Sequence, residues 1–224
     1  MGVTGTPGAD TETRVSASAG EEKTRNARRA GPFAFLRLNP LAKRAVTPHR
    51  YTALMSVAPR RIVTGHDASG ASVVLSDGPT PKTLDIGTAA FHELWITAQT
   101  PVPITATEPE PTDRPVRTPP PANGVMVRFT EMAPGAESPM HRTQTVDVGV
   151  VLEGETWLLL DGGSETLVRA GDAVVQRGTN HAWANRSDRP VRMVFVLIDG
   201  EITDELRAAA GPFEFFDQVL DSEH

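Results

Sequence analysis

Between Val125 and Ile198 the chain is cut into short apolar runs by glycine-containing turns, and few folds accommodate that pattern. Val125, Val127 and Phe129 alternate with Met126, Arg128 and Thr130, which is the period of a half-buried strand. Val148-Gly149-Val150-Val151-Leu152 is a continuous apolar run and predicts a strand covered on both faces. Glu153-Gly154-Glu155 is a turn, and Thr156-Trp157-Leu158-Leu159-Leu160 is the hairpin partner. Asp161-Gly162-Gly163-Ser164 turns the chain again, and Leu167-Val168, Ala173-Val174-Val175 and the run from Val191 to Ile198 complete the set. Short strands with turns every ~8–12 residues predict an all-β antiparallel sandwich or barrel.

The flanks differ in character. Residues 1–58 are rich in Gly, Thr, Ala, Ser and charge, and are expected to be a disordered N-terminal extension. Arg25, Arg28 and Arg29 ahead of Phe33-Ala34-Phe35-Leu36 have the look of a transit peptide, but Asp10, Glu12, Glu21 and Glu22 argue against one. Met55 stands just before the first strand pattern, which makes residues 1–54 a candidate upstream extension. Residues 59–123 supply N-terminal strands (Arg60–Thr64, Ala71–Leu75, Phe91–Thr97) and a Pro-rich arm over 99–123, which cannot pair inside a sheet because proline lacks the backbone donor. Residues 124–200 are the barrel. In 201–224, Thr203 as N-cap, acids in the first turn and Gly211 as the stop predict one short helix. Phe213, Phe215 and Phe216 then pack on the barrel or on a partner subunit.

Several functions are excluded by composition. A net charge of −6 offers no attraction to nucleic acid or acidic membranes. The absence of cysteine removes disulfides, thiolate metal sites and a cysteine nucleophile, and suits a cytoplasmic location. No apolar stretch is long enough to span a bilayer. No Gly-x-Gly-x-x-Gly, Walker or Gly-x-Ser-x-Gly pattern occurs.

The chemistry is concentrated in two places. His141 and Thr143 share a strand face, Asp147 opens the next apolar run, and His181, Trp183 and Asn185 share a face after the turn at Gly178. Two imidazoles and one carboxylate converging in a barrel suit a divalent transition metal with open positions for water and substrate. Arg177, in the turn before His181, is the candidate for gripping a substrate carboxylate. His92 and Glu93 lie outside this constellation and are expected at the surface.

Gly135, His141, Thr143, Asp147 and Gly154 stand at the spacing Gly, five residues, His-x-His, three or four residues, Glu, six residues, Gly. Gly171-Asp172, Gly178, His181 and Asn185 follow a second pattern, with Gln176 where Pro is usual and one residue fewer before the turn. Over about residues 124–199 the chain thereby resembles the cupin superfamily. The resemblance implies a cupin-like double-stranded β-helix (jelly-roll) barrel, here with a disordered N-terminal tail and a short C-terminal helix. It implies a metal site of His141, Asp147 and His181 holding Fe, Mn, Ni, Co or Zn. Catalytic roles fall to His141, Thr143 and His181, and substrate binding to Arg177, Trp183 and Asn185. Thr143 departs from the pattern as a poor metal ligand, and Asp147 is a methylene shorter than the usual Glu.

Three functions follow. One is a metal-assisted lyase, isomerase or oxygenase acting on a small organic carboxylate or carbonyl metabolite. The second is a metal-free enzyme in which His141 and His181 titrate near neutral pH as acid and base while Asp147 sets a tautomer. The third is a ligand-binding or sensory barrel without turnover. Related barrels often pair by exchanging N-terminal strands, so residues 60–98 with the arm imply a homodimer.

Overall fold

A computed structural model describes residues 57–106 and 108–220; the extension over 1–56 lies outside the described residues. The strands are β1 (Arg60–His66), β2 (Ser72–Pro79), β3 (Lys82–Asp85), β4 (Ala89–Thr97), β5 (Val125–Met132), β6 (Thr145–Glu153), β7 (Glu155–Leu160), β8 (Glu165–Arg169), β9 (Ala173–Arg177), β10 (His181–Ala184) and β11 (Val191–Asp199). One helix, α1 (Asp204–Ala210), follows; the Thr203 hydroxyl accepts from the Leu206 amide, and Gly211 ends it at φ 77°, as the cap residues predict. No helix among the described residues is long and apolar enough to cross a membrane.

A six-stranded sheet runs β3-β4-β5-β11-β6-β9, a three-stranded sheet runs β10-β7-β8, and β1 and β2 form a separate hairpin. The described pairings are antiparallel. The two larger sheets share one core: Met132, Val151, Val191 and Met193 from the first pack with Val168 and Trp183 from the second. Gly154 permits the tight passage from β6 to β7 at φ 79°, where a Cβ would stand 2.8 Å from the Pro190 carbonyl oxygen.

Three expectations change. The apolar run in β6 is covered on one face. Thr145, Asp147, Gly149 and Val151 are buried, whereas Val146 and Leu152 on the opposite face are exposed. A strand appears at Lys82–Asp85, where the sequence has no apolar alternation; its partner β4 supplies the pairing. With β3 on one side and β5 on the other, β4 is an interior strand. His92 and Glu93 on this strand are fully buried, not at the surface. His92 Nδ1 lies 2.9 Å from the Thr83 hydroxyl, and its ring meets the edge of Phe129. Glu93 accepts from Arg128 Nε at 3.0 Å within a buried ion pair.

A buried pair of this kind is costly to break from one side. Arg128→Met leaves the Glu93 carboxylate uncompensated, with an expected loss of about 3–5 kcal/mol in urea denaturation. The double variant Glu93→Leu/Arg128→Met should recover most of it. A single variant as stable as the parent would show that the pair does not organise this sheet.

Candidate active site

A cavity of about 330 Å³ lies between the two larger sheets. Its wall is mainly apolar, with Phe91, Met132, Trp183, Met193, Phe195 and Leu197 among its lining residues, and one polar region holds His141, Thr143, Asp147, Gln176 and His181. Trp183 packs edge-on to Phe195, with ring centroids 5.8 Å apart.

The histidines are brought together by backbone pairing. The His141 amide donates to the His181 carbonyl and the His181 amide donates to the His141 carbonyl, each at 2.8 Å. This bridge ties the segment before β6 to the start of β10 and sets the two rings 4.3 Å apart, centroid to centroid. Each ring is held by a second contact. His141 Nδ1 lies 2.8 Å from the Pro139 carbonyl oxygen, and His181 Nδ1 lies 3.0 Å from that of Thr179. A carbonyl oxygen only accepts, so Nδ1 carries the proton in both neutral rings and Nε2 keeps its lone pair. Backbone carbonyls, not Asp147, thus set the tautomers.

Burial decides the charge states. His181 is pushed down to about 4, first by desolvation and then by the neighbouring His141, against the opposing pull of the Thr179 carbonyl. His141 is lowered by the same burial. The expectation that both titrate near neutral pH is corrected: both are uncharged there. Burial also pushes Asp147 up to about 6, opposed by the Thr145 and Thr143 hydroxyls and by Arg128. The Thr143 and Thr145 hydroxyls stand 2.7 Å apart.

The proposed metal ligands do not assemble. Among the described residues, no group of three or more His, Cys, Asp or Glu side chains is placed to hold a metal ion. The bridge juxtaposes two imidazoles without bringing Asp147 into a common donor set with them. Transition-metal sites ordinarily use three or four protein ligands, so the donor set does not fit such an ion.

The other predicted residues divide. Trp183 and Thr143 line the cavity. Arg177 does not; it ends β9 on the exposed face, because the strand continues through the position expected to be a turn. Asn185 is fully buried but serves the chain locally: its amide nitrogen donates to the Met132 and Arg189 carbonyls, and its oxygen accepts from the Ser187 amide and hydroxyl. Two contributions went unread in the sequence. Gln176 faces inward beside Asp147. The segment Phe216–Leu220 borders the cavity, with the Phe216 amide donating to the Arg142 carbonyl at 2.7 Å and the Leu220 amide to the Val116 carbonyl at 2.8 Å. The aromatic residues after α1 gave a partial signal for it: the Phe216 ring centroid is 5.7 Å from that of His141.

The chain is similar to several known proteins. Residues 128–197 match the family model described as a cupin domain. "Phomopsin biosynthesis cluster protein C'" of Diaporthe leptostromiformis is 41% identical over 150 residues, covering 64% of this chain and 79% of that protein. The "cupin-domain-containing oxidoreductase fogC" of Aspergillus ruber is 40% identical over 147 residues, covering 62% of this chain and 71% of that protein. Among solved structures, a Cupin 2 conserved barrel domain protein from Salinispora arenicola is 22% identical, with a TM-score of 0.37 over 56% of this chain and 89% of its own. With its two facing antiparallel sheets and the histidine-bearing motifs at their junction, the chain belongs to the cupin superfamily.

Asp147 and His181 act on stability in opposite directions. His181 has a folded value below its unfolded 6.5, so its contribution is present above about 6.5 and is lost as pH falls toward about 4. Asp147 has a folded value above its unfolded 3.8, so its contribution is present below that value and is lost as pH rises through about 6. Between about pH 4 and 6 the two nearly cancel. Asp147→Asn should leave stability rising with pH across that window by roughly 3 kcal/mol, and His181→Gln should leave it falling by a similar amount. Urea midpoints at a series of pH values check the signs; parallel profiles for both variants would contradict the assignment.

Proposed function

We propose that this cupin is an enzyme that moves protons at carbon beside the carbonyl of a small organic metabolite, isomerising or dehydrating it, with His141 and His181 as its bases. The observation that carries the reading is the pair of neutral imidazoles, each with Nδ1 tied to a backbone carbonyl, bordering a largely apolar cavity. Such a ring accepts a proton at Nε2 without first losing one. Burial lowers the basicity of both rings, and His181 is lowered further by the neighbouring His141. The resulting imidazolium returns the proton either to another carbon, giving the isomer, or to a departing hydroxyl, giving water and a carbon–carbon double bond. No step runs through a metal, since the donor set does not fit one.

The name oxidoreductase carried by relatives supports enzymatic use of such a pocket. Abstraction of a proton beside a carbonyl is the part of an oxidation that two imidazoles can carry, and the electron acceptor would be a separate molecule.

The expected behaviour is exchange of the α-hydrogens of a small enolisable aldehyde such as phenylacetaldehyde with deuterated solvent, followed by NMR. His141→Gln and His181→Gln should each slow it ~10²-fold or more. Rigorous chelation should leave it unchanged. Loss on chelation with recovery on adding back one metal would overturn the reading.

The β1–β2 hairpin joins neither larger sheet and leaves Ile62, Val74 and Leu75 exposed, which supports a homodimer formed through this arm. Light scattering should give twice the chain mass, and Val74→Asp/Leu75→Asp should halve it; a parent protein that is monomeric at tens of micromolar would refute the arm's role.

A further inference from the structure

Asp147 on β6 and Gln176 on β9 are directly opposed in an antiparallel pair, so their side chains leave the sheet together on the same face. That face is the inner one: each residue is at least nine-tenths buried, and both line the cavity. Neighbours at such a position ordinarily satisfy each other. Here Asp147 Oδ1 and Gln176 Nε2 are both buried and without a hydrogen-bond partner. A buried acceptor and a buried donor left unmet oppose folding, and native interiors seldom retain them without a use. His92 Nε2 and Glu93 Oε2 on β4 are unmet as well, but neither His92 nor Glu93 lines the cavity; on the cavity wall itself Thr143 is engaged with Thr145, and Arg128 with Glu93.

We propose that Gln176 and Asp147 form a donor–acceptor clamp for a substrate that presents a carbonyl oxygen and an adjacent O–H or N–H on one edge, carried on an apolar body. The Gln176 amide donates to the carbonyl oxygen, and Asp147 accepts from the neighbouring O–H or N–H. Hydroxy-ketones, enolised dicarbonyls and lactams offer that edge; simple ketones and hydrocarbons do not. The apolar remainder lies against Met132, Trp183, Phe195 and Leu197. The clamp rests on the function proposed above and names its substrate class. A donor on the carbonyl oxygen sits where negative charge gathers as an α-proton leaves, so Gln176 also stabilises the charge that develops in that step.

The test uses 2-quinolone, a planar lactam with both groups on one edge, and N-methyl-2-quinolone, which keeps the carbonyl and loses the donor. Binding of each to the full chain is measured calorimetrically at pH 8. The clamp predicts that the parent protein favours 2-quinolone by at least about tenfold. Asp147→Leu should bring that ratio close to one. Gln176→Leu should weaken both probes alike, since both carry the carbonyl, and should not lower the melting temperature, because it removes an unmet buried donor. Equal or absent binding of the two probes by the parent, a ratio that survives Asp147→Leu, or a destabilised Gln176→Leu would overturn the clamp. His181→Gln separates the two proposals: it should retain the tenfold preference while losing proton exchange. Preference without exchange in the parent would sink the catalytic reading and leave the clamp standing, and exchange without preference would do the reverse.

Discussion

The mutual pair of backbone hydrogen bonds between His141 and His181 is the constraint on which the site depends. It joins the segment entering β6, in the six-stranded sheet, to the start of β10, in the three-stranded sheet. Side chains of opposed residues in such a bridge are forced close together, so the imidazole pair follows from main-chain geometry and not from attraction between the rings. The tautomers follow from the main chain as well, because the carbonyls of Pro139 and Thr179, each two residues upstream of its histidine, take the Nδ1 protons. A site fixed by backbone contacts tolerates change at neighbouring side chains. That tolerance accounts for Thr143 standing where the motif usually has a second histidine without disturbing the placement of His141 and His181.

Burial then governs the electrostatics. In the folded protein near pH 5, His181 is neutral and Asp147 is largely protonated, whereas in the unfolded chain the histidine is charged and the carboxylate ionised. The fold therefore replaces a pair of opposite charges by a pair of neutral groups without net proton exchange. This accommodates polar chemistry inside an apolar cavity at little cost in pH sensitivity. It also keeps the bases unprotonated through the physiological range, at the expense of basicity.

Much of this was legible in the residues themselves. The alternation in β5, the hairpin turns around β7, and the capping of α1 by Thr203 and Gly211 are local signals, and local physics decides them. The juxtaposition of His141 with His181 was legible through motif spacing. The parts that escaped depend on pairing between distant segments. Lys82–Asp85 has no pattern of its own and becomes a strand because β4 lies beside it, and on β4 His92 and Glu93 are buried. Gln176 and Arg177 show how little separates a wall residue from a surface one. Side chains alternate along a strand, so continuing β9 by one residue sends Gln176 inward and Arg177 outward.

The cavity that the histidines border is closed by residues from far along the chain. Phe91 comes from β4, Met132 from β5, and Phe216 and Leu220 from the segment after α1, which is pinned through the carbonyls of Arg142 and Val116. None of these residues belongs to the histidine motifs, yet each excludes water from the space the rings face. The motif accordingly specifies where the imidazoles stand, and the flanking segments specify what they are chemically. Two chains with the same histidines and different residues after the last strand would hold bases of different strength.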